Sequence, residues 1–141
     1  MEWPMTITVF EYKNGPSNEA AALAPRLPAA EARQLHARGE AVFVDLRMVQ
    51  EMKRTGIIPG AFPCPHGLMD LWIDPDSPIS GPAPASNKVF VFCCSSGQHA
   101  SEAAESARHM GLRQVFFLDG GMDAWLAGGG SVAAFDLQRV H

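Results

Sequence analysis

Adjacent cysteines followed by small and polar residues mark the part of this chain that is best suited to nucleophilic chemistry. Cys93 and Cys94 precede a short stretch made of Ser95, Ser96, Gly97, Gln98 and His99. A compact turn that contains glycine can point successive backbone amides into one hollow, and a thiolate placed there is stabilised. Such a thiolate attacks electrophiles or captures sulfur from a thiophilic substrate. The spacing therefore predicts a reactive cysteine in an anion-binding loop.

This loop needs a strand before it and a helix after it. Val89–Cys93 is a short β-branched and aromatic run, which is typical of a buried strand. The clearest helix follows, because small apolar residues recur at helical spacing and Gly111 is placed to cap the end; these residues are Ala100, Ala103, Ala104, Ala107 and Met110. Ligands of open α/β sheets bind where strands end and helices begin, so this is the expected position of a site.

Two further strands, Ala41–Leu46 and Val115–Leu118, predict the class of fold. The second of them completes a strand–helix–strand unit of about 30 residues, which is the length of a right-handed βαβ unit. We therefore expect an α/β fold with a mainly parallel sheet covered by helices on both faces. The remaining segments give shorter predictions: an edge strand at 6–12, helices at 28–38, 48–55, 67–73 and 122–127, and an extended piece at 62–65.

Length and composition exclude several classes of protein. A chain of 141 residues suits one domain, which we expect at 27–141 after an N-terminal extension at 1–26. No apolar stretch approaches the roughly 18–20 residues that cross a bilayer, and no secretory signal is visible. A net charge of -4 argues against nucleic-acid binding. Three cysteines and scattered histidines predict reduced thiols in a cytoplasmic protein, with no metal and no cofactor.

The local pattern separates the two adjacent cysteines without settling what the second one does. Cys93 ends the predicted strand, so we expect its sulfur to pack in the core. Cys94 opens the loop, and from its local context it is either reactive or packed beneath the loop. Apolar residues at helical spacing elsewhere are expected to be core, namely Met122, Trp125 and Leu126, and also Met69 and Trp72, for which a place in the wall of the pocket is the alternative. The pattern indicates no partner for Cys64 or His66.

Several stretches, in the right order, resemble the signatures of the rhodanese-like family. The loop from Cys94 to His99 is similar to the family's Cys-x-x-Gly-x-Arg loop, and 118–125 is similar to its Gly-Gly-x-x-x-Trp signature. Upstream, Val44-Asp45-Leu46-Arg47 with Glu51, followed by 56–61, resembles the first signature. The stretch 67–78 is similar to a subset of single-domain members, so the resemblance covers about residues 27–132.

The resemblance implies a fold and a reaction. The family fold is a mainly parallel sheet of about five strands with helices on both faces. Cys94 would attack the outer sulfur of a donor such as thiosulfate or a persulfide and become a persulfide itself. A thiol, a cyanide-type acceptor or an acceptor protein would then remove the sulfur. Ser95, Ser96, Gly97, Gln98 and His99 would bind the donor, while Asp45 and Arg47 would support the rim of the site.

This sequence departs from the family pattern in two places. His99 stands where the family has an arginine, and Gly56-Ile57-Ile58-Pro59-Gly60 replaces Gly-His-Ile-Pro-Gly. Since histidine is only partly charged near neutrality, the change should weaken the capture of thiosulfate or phosphate more than it weakens the nucleophile. For His99, the alternative to contacting the donor is a structural role at the start of the helix. For Arg47, the alternative to supporting the site is an ion pair with Glu51.

The sequence leaves two other functions open. The missing arginine is compatible with a non-catalytic member that carries sulfur or binds a partner protein. Counting the loop from Cys93 instead of Cys94 gives the longer loop of phosphatase-like and arsenate-reductase-like enzymes. The position of Gly97 relative to Cys94 and the absence of an arginine for phosphate argue against that longer loop.

Overall fold

The computed structural model describes residues 24–79 and 88–135. The predicted edge strand at 6–12 lies outside these residues. Gln98 is described only by its backbone. Across the same ranges, no helix has the length and apolar character needed to span a membrane.

Short strands alternate with helices along the described part of the chain. The strands are β1 (Arg26–Leu27), β2 (Ala41–Asp45), β3 (Phe62–Pro63), β4 (Val89–Cys93) and β5 (Val115–Leu118). The helices are α1 (Ala29–Arg38), α2 (Val49–Thr55), α3 (Asp70–Ile73), α4 (Gln98–His109) and α5 (Gly121–Ala127). The predicted elements within these ranges are therefore confirmed, with ends that differ by up to three residues.

All five described strands form one parallel sheet in the order β1-β5-β4-β2-β3. The expected α/β fold is confirmed. The central strand β4 is buried along its whole length, as its unbroken apolar sequence predicts. Asp45 at the end of β2 lies opposite Cys93 at the end of β4. The segments that follow these two strands therefore leave the sheet side by side.

Alternate residues of the central strands supply two cores, one on each face of the sheet. One core contains Val91 and Cys93 and packs against α1 and α5, including Leu35 and Trp125. The other contains Phe90 and packs against the alanine stripe of α4. Helix α4 thus lies close to the sheet because its inner face carries only small side chains.

Two residues that were expected in the core are exposed instead. Leu126 is 38% exposed and Met69 is 54% exposed. Helix α5 turns Met122 and Trp125 to the sheet, and Leu126 points away because it follows Trp125 by about 100° around the helix. Met69 precedes a helix of one turn whose buried residue is Leu71, so it has no second turn to cover it.

Candidate active site

The loop between β4 and α4 folds around the sulfur of Cys94. The backbone amides of Gly97 and Ala100 donate hydrogen bonds to Cys94 Sγ, at 3.1 and 3.3 Å. Gly97 has φ 109°, and a Cβ on it would lie 3.2 Å from the carbonyl oxygen of Leu118. Glycine is favoured there because the backbone conformation strains any other residue and the close approach leaves little room for a side chain. Two backbone donors therefore converge on the sulfur of Cys94.

The turn after β5 supports the same loop through backbone hydrogen bonds. The amides of Met122 and Asp123 donate to the carbonyl oxygens of Cys94 and Ser95, at 2.8 and 3.1 Å. A Cβ on Gly121 would overlap these two oxygens, and Gly121 has φ 62°. The start of α5 can therefore dock under the loop only because residue 121 has no side chain.

Cys94 opens the loop, as the sequence predicts, but the residue is only 6% exposed. The reason is that its sulfur points inward to the amides. It remains accessible through a cavity of about 630 Å³ that it helps to line.

Cys93 points to the opposite face of the sheet. It is 1% exposed and belongs to the core under α1 and α5, as predicted. Burial raises the pKa of its thiol well above the ordinary value, and the nearby charge of Asp45 raises it further. Cys93 is therefore a protonated core residue, and a catalytic loop counted from it would begin at a sulfur that faces away from the cavity.

The cavity beside Cys94 collects side chains from four separate parts of the chain. They come from the segment after β2 and from α2, from the segment after β3, from the Cys94 loop, and from the outer side of α4. The lining residues include Leu46, Arg47, Met48, Glu51, Cys64, Pro65, His66, Gly67, Leu68, Cys94, Ser95, Ser96, His99, Glu102, Ala103 and Ser106. Ser95, Ser96 and His99 thus face the same space as the sulfur.

Asp45 and Arg47 form a buried ion pair at the edge of this cavity. Arg47 donates from Nη2 to Asp45 Oδ2 at 2.9 Å, and both side chains are at most 3% exposed. It also donates to Thr55 Oγ1 at 2.7 Å and to the carbonyl oxygen of Gly56 at 2.8 Å. The pair therefore connects the end of β2 to the end of α2.

The alternative pairing of Arg47 with Glu51 is wrong. The i,i+4 geometry requires both residues to be helical, but α2 begins at Val49 and Arg47 lies before it. Glu51 instead accepts a hydrogen bond from the hydroxyl of Ser95, at 3.1 Å. Sequence reasoning missed this role. The signal available was the occurrence of Glu51 beside the first family signature.

Cys64 and His66 also line the cavity, although the sequence indicated no partner for them. Cys64 is fully buried, and burial raises the pKa of its thiol to about 12, with smaller contributions from Asp70, Asp74 and Asp45. It is therefore a protonated wall residue at neutral pH. Nδ1 of His66 lies 3.6 Å from Asp70, one helical turn along the chain.

A family model described as Rhodanese-like domain matches residues 28–128. The chain belongs to the rhodanese-like family. Its parallel sheet of five described strands is the one that the resemblance implied.

Solved structures agree with this fold. A protein of unknown function from Rhodopseudomonas palustris CGA009, described as a possible tyrosine phosphatase, is 34% identical and has a TM-score of 0.66, covering 94% of this chain and 96% of that one. A rhodanese-related protein from Thermoplasma volcanium is 20% identical with a TM-score of 0.62, covering 79% and 99%. A thiosulfate sulfurtransferase from Pseudomonas aeruginosa is 21% identical with a TM-score of 0.62, covering 78% of this chain but 19% of that one. The last two show the shared fold alone.

Proposed function

We propose that this rhodanese-like protein is a sulfurtransferase whose nucleophile is Cys94. The observation that carries the proposal is the pair of amides, from Gly97 and Ala100, that converge on Cys94 Sγ within 3.3 Å. Hydrogen bonds aimed at one sulfur stabilise negative charge there without reorganisation during the reaction. A thiolate in that position is a nucleophile, and it lines a cavity that is large enough for a small sulfur donor.

The reaction has two displacement steps. The Cys94 thiolate attacks the outer sulfur of a donor; with thiosulfate, the sulfur–sulfur bond of the donor breaks and sulfite leaves with the electron pair. Cys94 then carries a persulfide. A second nucleophile attacks the outer sulfur of that persulfide, takes it, and regenerates the thiolate; with cyanide the product is thiocyanate.

The loop residues have different roles around the sulfur atom that Cys94 receives from the donor. Ser95 and Ser96 are small, so they leave space in the cavity beside Cys94, and Gly97 supplies an amide. Gln98 and His99 begin α4, and His99 faces the cavity where a donor would lie. Asp45 and Arg47 support the rim by connecting β2 to α2. We propose a thiol or a cysteine of an acceptor protein as the cellular acceptor, in the cytoplasm, where thiols stay reduced.

Mass spectrometry tests the proposal directly. Protein incubated with thiosulfate or with a small alkyl hydropersulfide is expected to gain one sulfur atom on the peptide that contains Cys94, and cyanide is expected to release that sulfur as thiocyanate. Cys94→Ser should abolish both results. Cys64→Ser is the matched control, because it removes a thiol from the same cavity and should leave loading intact. Loading on Cys64, or no loading from any donor, would overturn the proposal.

A phosphatase is the second candidate, favoured by the 34% identical Rhodopseudomonas protein described as a possible tyrosine phosphatase. A phosphate dianion needs a cationic fork, which an arginine provides. Here His99 occupies the loop position, and the donors of Arg47 are directed to Asp45, Thr55 and Gly56. Turnover of p-nitrophenyl phosphate that is lost in Cys94→Ser would favour this candidate. A persulfide that forms but is never transferred to an acceptor would indicate a sulfur carrier.

A further inference from the structure

The charged residues that line the cavity differ from those of a site that binds a dianion such as thiosulfate. Among the lining residues that the structure describes, Glu51 and Glu102 carry carboxylates, while His66 and His99 carry imidazoles. Arg47 is the single lysine or arginine of that set. Whether a sulfur donor meets a permanent positive charge therefore depends on whether the guanidinium of Arg47 is free to contact that donor.

Arg47 is not free. Its Nε and Nη2 atoms donate to Asp45, and its Nη1 atom donates to Thr55. The Arg47 and Asp45 side chains are 3% and 2% exposed. The Arg47 cation is thus neutralised by the Asp45 carboxylate. Its N–H groups bind acceptors within the protein rather than a sulfur donor in the cavity.

Additional carboxylates lie behind the wall opposite α4. Asp70 is 3.6 Å from the imidazole of His66, so any positive charge on that ring is offset. Asp70 and Asp74 lie near enough to Cys64 to raise the pKa of its thiol beyond the effect of burial, whereas the charge of Asp45 is already offset by Arg47. The carboxylates of Glu51 and Glu102 therefore line the cavity and that of Asp70 lies beside it, while His99 lines it from the first turn of α4.

We propose, resting on the sulfurtransferase function above, that the preferred donor is an alkyl hydropersulfide bearing a protonated amine, which Glu51 and Glu102 select over anionic donors such as thiosulfate. The Cys94 thiolate attacks the terminal sulfur of R–S–SH and forms the Cys94 persulfide. The sulfur–sulfur bond of the donor breaks, and the thiolate R–S⁻ leaves and takes up a proton. The ammonium group of R remains beside the two carboxylates throughout.

Three donors that transfer the same terminal sulfur test this selection. They are the hydropersulfides of cysteamine, 2-mercaptoethanol and 3-mercaptopropionate, whose R groups carry a cation, no charge and an anion near neutral pH. The measurement is the second-order rate constant for persulfide formation on Cys94, followed by mass spectrometry. Because donors differ in intrinsic reactivity, each rate is compared between wild type and variant with the same donor.

Glu102→Gln is expected to slow the cationic donor roughly two- to five-fold and to accelerate the anionic donor by a similar factor, as expected for one charge acting across several ångströms of partly aqueous space. Glu51→Gln, which keeps an oxygen to accept from Ser95, should act in the same direction. The neutral donor should change little. Glu31→Gln is the control, since it removes the same charge from α1 on the other face of the sheet.

The possible failures can be distinguished. If neither thiosulfate nor any of the three hydropersulfides loads Cys94, the proposed function itself fails. If thiosulfate alone loads it, the function stands and the selection of a cationic donor is overturned. If all three load it and the two glutamine variants leave the ratio of cationic to anionic rates unchanged, the function stands and the selection of a cationic donor is overturned. That selection is likewise overturned if Glu31→Gln shifts the ratio as much as Glu102→Gln does.

Discussion

The hydroxyl of Ser95 donates a hydrogen bond to the carboxylate of Glu51 at 3.1 Å, although the two residues are 44 positions apart. This contact connects the loop that holds Cys94 to helix α2. Because α2 is also held by Arg47 through Thr55 and Gly56, the loop and the buried ion pair belong to one connected structure.

Removing the Ser95 hydroxyl should loosen that connection. Ser95→Ala is expected to lower the free energy of unfolding by about 1 kcal/mol, the usual worth of a hydrogen bond to a carboxylate that is partly exposed. Urea unfolding measures it. Ser96→Ala removes the hydroxyl of the next, exposed residue and should change stability by less; equal losses in the two variants would contradict the role of the contact.

Gly121→Ala should be severely destabilising. The new Cβ would overlap the carbonyl oxygens of Cys94 and Ser95, and the backbone is left-handed there. Gly129→Ala is the matched control, because Gly129 also has positive φ, 80°, but has open space around it. We expect about 1 kcal/mol of strain for Gly129→Ala and at least about 2 kcal/mol more for Gly121→Ala. Thermal or urea unfolding that ranks them equally would show that the contact with the loop is unimportant.

Asp45→Asn should destabilise the protein strongly, since it leaves the buried guanidinium of Arg47 without a counter-charge. Breaking a buried pair by removing one partner costs about 3–5 kcal/mol. The double variant Asp45→Asn/Arg47→Met should recover part of that loss, and the exposed Asp76→Asn should be nearly neutral. Urea unfolding of the wild type, Asp45→Asn, Arg47→Met and the double variant gives the coupling between Asp45 and Arg47. A double variant less stable than Asp45→Asn would contradict the explanation.

The three cysteines should differ sharply in reactivity. At pH 8, iodoacetamide is expected to modify Cys94 in the native protein and to leave the other two unmodified, because Cys64 and Cys93 are at most 1% exposed and burial raises the pKa of each thiol. Peptide mapping measures this. Modification of all three should appear only after denaturation, and native labelling of Cys64 at the rate of Cys94 would be inconsistent with the structure.

Cys64 should also make stability depend on alkaline pH. Its pKa is raised from 9.0 to about 12 in the folded protein. The unfolded chain therefore loses this proton first, so the contribution to stability is complete below pH 9 and is lost as pH rises towards 12. Cys64→Ala should show a shallower fall in the free energy of unfolding across that range, relative to its own value at pH 8. Parallel curves for the two proteins would refute the assignment.

His99→Arg restores the residue that the family pattern has at this position. A permanent cation beside Cys94 should raise the rate of persulfide formation from thiosulfate by roughly ten-fold, since an arginine grips an oxyanion through paired N–H groups. His99→Gln removes the imidazole without adding charge and should not produce this gain. Equal thiosulfate rates in the two variants would mean that residue 99 does not contact the donor.

Much of the fold was predictable because its signals are local. The β-branched and aromatic runs at 41–45, 89–93 and 115–118 specify buried strands, and the alanine spacing from Ala100 to Ala107 specifies a helix that packs closely on the sheet. Leu126 and Met69 were assigned wrongly because an apolar side chain on a helix of one or two turns is not buried unless another element covers it.

By itself, the sequence determined the order of the described strands and helices apart from β1, the family, and the loop in which Cys94 follows a buried cysteine. Each of these depends on residues that are neighbours along the chain. Only the tertiary structure decided which groups surround the sulfur: the register that sets Asp45 beside Cys93, the ion pair that occupies Arg47, and the return of Glu51 to Ser95. The Asp45–Cys93 and Glu51–Ser95 contacts join segments tens of residues apart. The Asp45–Arg47 pair joins near neighbours, but it depends on the directions of two side chains that the packed structure sets.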